Sequence, residues 1–216
     1  MKQLLLLLSL PLLFNSCQKE KKYLTDYVNP FIGTGGHGHT YPGASAPFGM
    51  VQLSPDSRLE GWDGCGGYHY SDSILYGFSH THLSGTGVSD YGDILLMPIT
   101  GKLLLNNGAD GNAGYSSKFS HEKEKATAGF YQVFLENYNV DVELTTSQRA
   151  GFHKYTFPKN ETAQVVLDLE HRDKLLDYRI EMLDSNTLQG IRYSDNWARK
   201  QKVHFYMKFS KNLQSI

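Results

Sequence analysis

Val140-Asp141-Val142-Glu143-Leu144-Thr145-Thr146 alternates at its centre, with Val142 and Leu144 on one side of the chain and Asp141 and Glu143 on the other. Side chains that return to one face every second residue mark a β-strand, here with an apolar inner face and a polar outer one. The same texture spreads outward in both directions. Residues 94–99 and 129–135 read as strands on the N-terminal side; residues 152–157, 163–169, 178–182, 188–193 and 203–209 follow on the C-terminal side. In the last of these, Val203, Phe205, Met207 and Phe209 share a face. Turn residues separate the runs about every ten positions, the rhythm of an antiparallel β-sandwich. Only residues 122–125 suggest a helix, of one short turn.

Composition agrees with this reading. Of 216 residues, 21 are Lys or Arg and 22 are Asp or Glu, a net charge of −1. That balance excludes the basic face of a nucleic-acid binder. Hydrophobic residues at 40% and charged ones at 20% place the chain among globular proteins rather than disordered ones. With 14 Tyr, 11 Phe and 21 Gly, it is an all-β protein with long, shaped, Gly-rich loops.

The N-terminus carries an address. Lys2 precedes an apolar run from Leu4 to Phe14, broken by Pro11 and too short for the ~20 residues of a membrane span. This is the plan of a secretory signal peptide over residues 1–16. Ser16-Cys17 resembles a bacterial lipobox, in which Cys17 is lipidated, and residues 17–26 follow as a polar tether. The expected product is an outer-membrane lipoprotein facing the periplasm or the cell surface. Cys17 and Cys65 are the two cysteines, so a lipidated Cys17 leaves the fold to its core rather than to a disulfide.

Residues 27–92 are loop-rich. Residues 48–53 read as a strand ending at Ser54-Pro55-Asp56, and residues 74–78 as another. Gly33-Thr34-Gly35-Gly36-His37-Gly38 has the spacing of a dinucleotide fingerprint, but Pro42 and Pro47 prevent the helix that this motif needs. His37/His39 and His80/His82, with Asp90 or Asp93, could supply metal ligands, yet no third ligand is fixed by spacing. Ser84 lacks a nucleophile elbow, because His82 stands where its first Gly should be. The densest constellation is Gly61-Trp62-Asp63-Gly64-Cys65-Gly66-Gly67-Tyr68-His69-Tyr70. A Trp among glycines suits a sugar ring, with carboxylates and imidazoles for the hydroxyls. It equally suits a rim filler of the sandwich, and chemistry alone leaves both open.

Tyr27-Val28-Asn29-Pro30-Phe31-Ile32-Gly33-Thr34-Gly35 resembles the mature start of glycoside hydrolase family 92, calcium-dependent exo-α-mannosidases. The resemblance continues through Tyr41-Pro42-Gly43-Ala44, Pro47-Phe48-Gly49-Met50-Val51, Ser54-Pro55-Asp56, residues 62–70, residues 77–87 and Asp90-Tyr91-Gly92-Asp93. It is dense from Tyr27 to Pro98 and looser to about residue 209. The family implies an N-terminal β-sandwich of galactose-mutarotase-like type, here residues 27–216, followed by an (α/α)6 barrel that this chain does not resemble. The strand near residue 209 has little after it, and the chain reads as truncated within or just after its first domain. In the family the general acid (Glu), the general base (Asp) and the calcium ligands lie in the barrel, so the resemblance places none of them in this chain. It implies inverting hydrolysis of mannose-containing glycans, of α-1,2 type, with the two carboxyls ~6.5–9.5 Å apart. It also implies that the sandwich lends loops to the substrate pocket and packs on the barrel as its partner. Trp62 would stack on the leaving sugar, and Asp63, Cys65, His80, His82 and Asp90 would line the same pocket.

Three functions compete at this stage. They are the N-terminal domain of a lipid-anchored α-mannosidase, inactive alone; a non-catalytic glycan-binding lipoprotein; and a metallohydrolase built on His37, His39, His80 and His82. The anchor has its own test. Replacing Cys17→Ala is expected to move the protein from the detergent-extractable membrane fraction to a soluble or unprocessed form, because two-chain lipidation anchors stably. Unchanged partition of the variant rejects the lipobox.

Overall fold

A computed structural model describes residues 22–85, 87–159 and 161–214. The leader, Cys17 and the tether up to residue 21 lie outside the described residues. The strands, in chain order, are β1 (Ala44–Ser45), β2 (Gln52–Asp56), β3 (Ile74–Leu75), β4 (Gly77–Ser79), β5 (Leu95–Ile99), β6 (Ser117–Lys118) and β7 (Glu124–Thr127). They continue with β8 (Phe130–Leu135), β9 (Val140–Thr146), β10 (Gly151–Thr156), β11 (Gln164–Asp168), β12 (Lys174–Asp184), β13 (Thr187–Asp195) and β14 (Gln201–Lys208).

Two antiparallel sheets form the sandwich. One has the order β1-β2-β4-β5-β11 and the other β10-β9-β8-β7. The alternation in Val140–Thr146 sets the inner face: Val140, Val142 and Leu144 stand opposite Leu135, Val133 and Tyr131 of β8. All six are buried, and they meet Leu53, Phe78, Leu95, Met97, Ile99 and Val166 of the facing sheet. Burying each such side chain contributes roughly 1.5–3 kcal/mol. β5 is buried along its whole length, as a strand covered on both faces must be.

A third sheet, β12-β13-β14, extends from the sandwich. Cross-strand register puts Tyr178, Ile180 and Met182 on one face with Leu188, Val203, Phe205 and Met207. Arg192, paired with both Tyr178 and Val203, lies on this face too, and it roots the sheet. Its guanidinium donates to Asp93 Oδ1 at 2.5 Å, to Leu169 O at 2.7 Å and to Arg172 O. Both members of the Arg192–Asp93 pair are buried.

The expectations about local structure need three corrections. The strand placed at residues 48–53 starts at Gln52 and runs through Pro55 to Asp56. Phe48 has φ +56 and is fully exposed, so that stretch is a turn feeding the strand. Residues 74–78 are two strands in different sheets, split at Tyr76. Residues 122–125 divide between a 3-10 turn at His121–Lys123 and the start of β7. In the latter two cases pairing with a distant partner overrides the local pattern.

Replacing Arg192→Ala is expected to cost about 3–5 kcal/mol, because it strands the buried Asp93 carboxylate without its cation. A urea midpoint lowered to match would confirm it; a shift within experimental error would show that the seam does not depend on this pair.

Candidate functional site

Three loops converge around Trp62. The first, residues 29–41, is held by its own backbone: Gly38 N–H donates to Gly35 O at 3.0 Å and Thr40 N–H to Gly33 O at 3.2 Å. A Cβ on Gly38 would lie 2.0 Å from Gly33 O, so the loop can close this tightly only with glycine there. The second loop carries the 3-10 turn Trp62–Gly64. It is tied to the first by Tyr70 N–H donating to Thr34 O at 2.8 Å and by His69 Nε2 donating to Gly36 O at 3.0 Å. The third is joined through Gly85 N–H donating to His39 O at 2.7 Å. Gly87 lies under the indole; a Cβ there would come within 2.2 Å of the Trp62 ring.

The indole itself is 65% exposed. It meets the His39 imidazole edge-on, with centroids 5.2 Å apart. Asp63 Oδ1 is 3.0 Å from His37 Nδ1 and 3.7 Å from His39 Nε2. The His37 hydrogen bond holds the Asp63 carboxyl below the usual carboxylate range. The result is an exposed apolar ring on a braced loop, beside one carboxylate and two imidazoles. Such a surface can stack on the C–H face of a sugar and hydrogen-bond its hydroxyls.

The other sequence-derived site residues stand behind this surface. Cys65 is fully buried, and burial pushes its thiol up. Its carbonyl accepts from Arg172. His80 sits between Ile94 O, 2.7 Å from Nδ1, and His153 Nε2, 3.0 Å from its own Nε2. Tyr155 Oη donates to His153 Nδ1 at 2.7 Å, so a chain of neutral rings crosses between the two sheets. Burial lowers both imidazoles, His153 further by proximity to His80. His82 Nδ1 donates to Gln52 O at 2.8 Å, and its Nε2 is 3.3 Å from Asp56 Oδ1. Asp90 accepts from the backbone of Tyr91 and Ala198. The four histidines offered as a metal set therefore divide: His37 and His39 face Asp63, His80 meets His153 and His82 faces Asp56. No three His, Cys, Asp or Glu among the described residues are grouped to hold a metal ion.

Several hubs escaped the sequence reading. Asp56, read as part of a turn, is a fully buried carboxylate at the end of β2. Ser79 donates to its Oδ2 through both N–H, at 3.1 Å, and Oγ, at 2.5 Å. His82 and His171 face its Oδ1 at 3.3 and 3.4 Å. The His171 ring approaches Asp56 without hydrogen-bond alignment. Glu124 takes hydrogen bonds from Tyr68 at 2.9 Å and Tyr131 at 2.5 Å, and lies 2.6 Å from His121 Nδ1. No spacing rule links Asp56 to His171 or Tyr68 to Glu124, and folding alone brings them together. Two open depressions, of about 480 and 560 Å³, lie over Phe134 and over Phe205, away from Trp62. Both are lined by charged and polar side chains, among them Glu122, Lys125 and Asp141 in the first and Arg179, Glu181 and His204 in the second, but neither includes a residue of the loops that converge on the indole, so the Trp62 surface remains the candidate.

Burial alone would raise Asp56, but the imidazoles of His82 and His171 outweigh it and hold the carboxyl far below the usual range. Its stabilising contribution is thus present above the unfolded carboxyl value of about 3.9 and is lost as pH falls below it. The acid limb of the stability curve is expected to flatten in Asp56→Asn, with the variant less stable by about 3–5 kcal/mol at neutral pH. Urea midpoints at several pH values check this; parallel curves for variant and wild type would refute it.

The comparisons with known proteins point one way. Residues 27–216 match the model of the glycosyl hydrolase family 92 N-terminal domain. A solved family 92 α-mannosidase from Bacteroides thetaiotaomicron superposes with a TM-score of 0.84 at 39% identity, covering 91% of this chain and 27% of that one. The same enzyme has been solved with mannoimidazole bound. A family 92 inverting mannosidase from the same organism gives a TM-score of 0.74 at 29% identity, covering 90% and 26%. A secreted glycosidase of uncharacterised activity from Arthroderma benhamiae is 32% identical over 136 residues, 62% of this chain and 17% of its own length. The chain thus spans about a quarter or less of these relatives.

Proposed function

This chain belongs to glycoside hydrolase family 92, as its N-terminal domain, and from that premise we propose that it forms the sugar-facing sandwich of an inverting α-mannosidase. The observation that carries the proposal is the Trp62 surface, an indole exposed on loops braced from three directions with Asp63, His37 and His39 at its side. The relatives support the sugar class, since the two solved ones are mannosidases. In this reading Trp62 packs on the leaving sugar of a mannose-containing glycan of α-1,2 linkage. The Asp63 carboxylate, kept ionised by His37, accepts from sugar hydroxyls. In this reading the acid, the base and the calcium ligands are supplied from outside the sandwich. The domain acts by orienting the sugar and excluding water on one side. The secreted relative and the leader at residues 1–16 support a place outside the cytoplasm, as a lipoprotein anchored through Cys17.

Two measurements test this reading. The purified chain is expected to release no mannose from an α-mannobioside, with or without calcium, because positioning without an acid and a base does not supply the chemistry. Release above a contaminant control would overturn that division of labour. Replacing Trp62→Ala is expected to weaken mannobioside binding by about 1–3 kcal/mol, the scale of losing a large apolar contact. The fold should stay intact, since the indole is mostly exposed. Wild-type binding by the variant removes Trp62 from the site, and unfolding would make it a packing residue instead.

A further inference from the structure

A second exposed indole stands over the same loop as the first. The chain has two tryptophans, and Trp197 is 68% exposed, against 65% for Trp62. Trp197 lies on the turn between β13 and β14. Both residues beside it are fastened. Asn196 Nδ2 donates to Ser89 O at 2.6 Å and to Asp173 Oδ1 at 3.1 Å, and Ala198 N–H donates to Asp90 Oδ2 at 2.7 Å. No ring contact or hydrogen bond within the described residues covers the indole itself. Tryptophan is highly buried on average, so a ring left open on a turn fixed at both sides is an informative exposure.

Ser89 joins the two tryptophan turns. Arg172, itself buried, donates to Ser89 Oγ, to Gly64 O at 3.0 Å and to Cys65 O at 3.4 Å. The end of the Trp62 turn and the seat of the Trp197 turn thus hang on one guanidinium. Gly87, under the Trp62 ring, is two residues from Ser89, at most ~7 Å along the chain. Both indoles are therefore within the span of one short oligosaccharide. Each also has a carboxylate on its own turn. Asp63 pairs with His37, while Asp195 accepts from Lys200 N–H at 3.0 Å and from Arg199 Nη1 at 3.2 Å. The Lys200 N–H holds the Asp195 carboxyl below the usual carboxylate range. A carboxylate has about four lone-pair sites, so each keeps room for a sugar hydroxyl.

We infer that Trp197 is a second stacking platform of the sugar-facing surface, taking a sugar farther from the scissile bond than the one on Trp62, with Asp195 and Arg199 for its hydroxyls. The inference rests on the reading of Trp62 as the platform for the leaving sugar. An exo-acting enzyme holds one sugar on the other side of the scissile bond, so a further platform on this domain falls on the leaving side. The ligand is then a mannose oligosaccharide longer than a disaccharide. Stacking covers the apolar C–H face of the sugar, and a turn braced in advance spares the cost of ordering it on binding. Two platforms on one rigid support raise affinity for a ligand long enough to reach both, and leave a shorter one unaffected.

Calorimetric titration of the full chain with linear α-1,2-linked mannobiose and mannotetraose tests the second platform. The wild type is expected to bind the tetraose roughly tenfold more tightly than the biose, the scale of one added stacking contact. Trp197→Ala is expected to lose that gain while binding the biose as the wild type does, and Trp197→Tyr to keep most of it. Fluorescence gives an independent measurement, because Trp62→Phe leaves Trp197 as the one indole. Its emission should change with the tetraose and not with the biose. Equal wild-type affinity for the two sugars overturns the inference, even if the alanine variant fails to fold. A length gain that survives in Trp197→Ala overturns it too, and makes Trp197 a contact for some other partner. Unchanged biose binding by Trp62→Ala instead overturns the reading of Trp62, and is seen apart from the length gain. A wild type that binds neither sugar removes both.

Discussion

The Arg192–Asp93 ion pair is the constraint that ties the three-stranded sheet to the sandwich. A guanidinium is always charged, and burying one costs several kcal/mol unless its donors are met. Here they are met by Asp93 and by two carbonyls of the segment linking β11 to β12. Asp93 is shared further, taking Thr81 Oγ1 and Gln201 Nε2 at 2.7 Å each. The end of β4, the approach to β5, the centre of β13 and the start of β14 are thus fixed to one carboxylate. The outer strand β12 is largely open to solvent and β14 half so, and Leu188 is the one buried apolar residue of the sheet's described strands, so its attachment through β13 is mainly electrostatic and geometric.

The same logic runs through the loop-rich half. Asp56 and Glu124 are buried acids, each surrounded by hydroxyls and imidazoles drawn from distant elements. Such networks are costly when incomplete and rigid when satisfied. They lie directly behind the loops that carry Trp62: Gly67, at the end of the Trp62 turn, packs against Asp56 and His82. The exposed indole gains its fixed position from polar chemistry beneath it, since the surrounding glycines offer little side-chain packing. His80 and His82 serve this scaffold from behind the surface.

The strand pattern of the C-terminal half was legible because a half-buried sheet writes its own period into the sequence. Val140–Thr146 came out with the same boundaries, and the strands beside it within one or two residues. Of the strands expected in this half, β12 differs more widely, starting four residues earlier at Lys174, since exposed residues extend it past its apolar centre. The stretch around residue 48 misled because its apolar residues serve a turn, where Phe48 takes a left-handed conformation. Short strands such as β1 and β6 left no local trace, being two-residue pairings imposed by a neighbour.

By itself the sequence determined the antiparallel β class, the family resemblance, and the Trp62 and Asp63 loop as the chemistry-rich surface. Each is a local or ordered pattern along the chain, and such patterns survive without coordinates. The tertiary structure alone decided which acids are buried and what faces them: His82 and His171 at Asp56, Arg192 at Asp93, and Tyr68 and Tyr131 at Glu124. Those partners are separated by 26 to 115 residues for Asp56, 99 for Asp93 and up to 56 for Glu124. The free energy of a buried charge depends on what folding brings within a few ångströms of it, and no spacing along the chain encodes that distance.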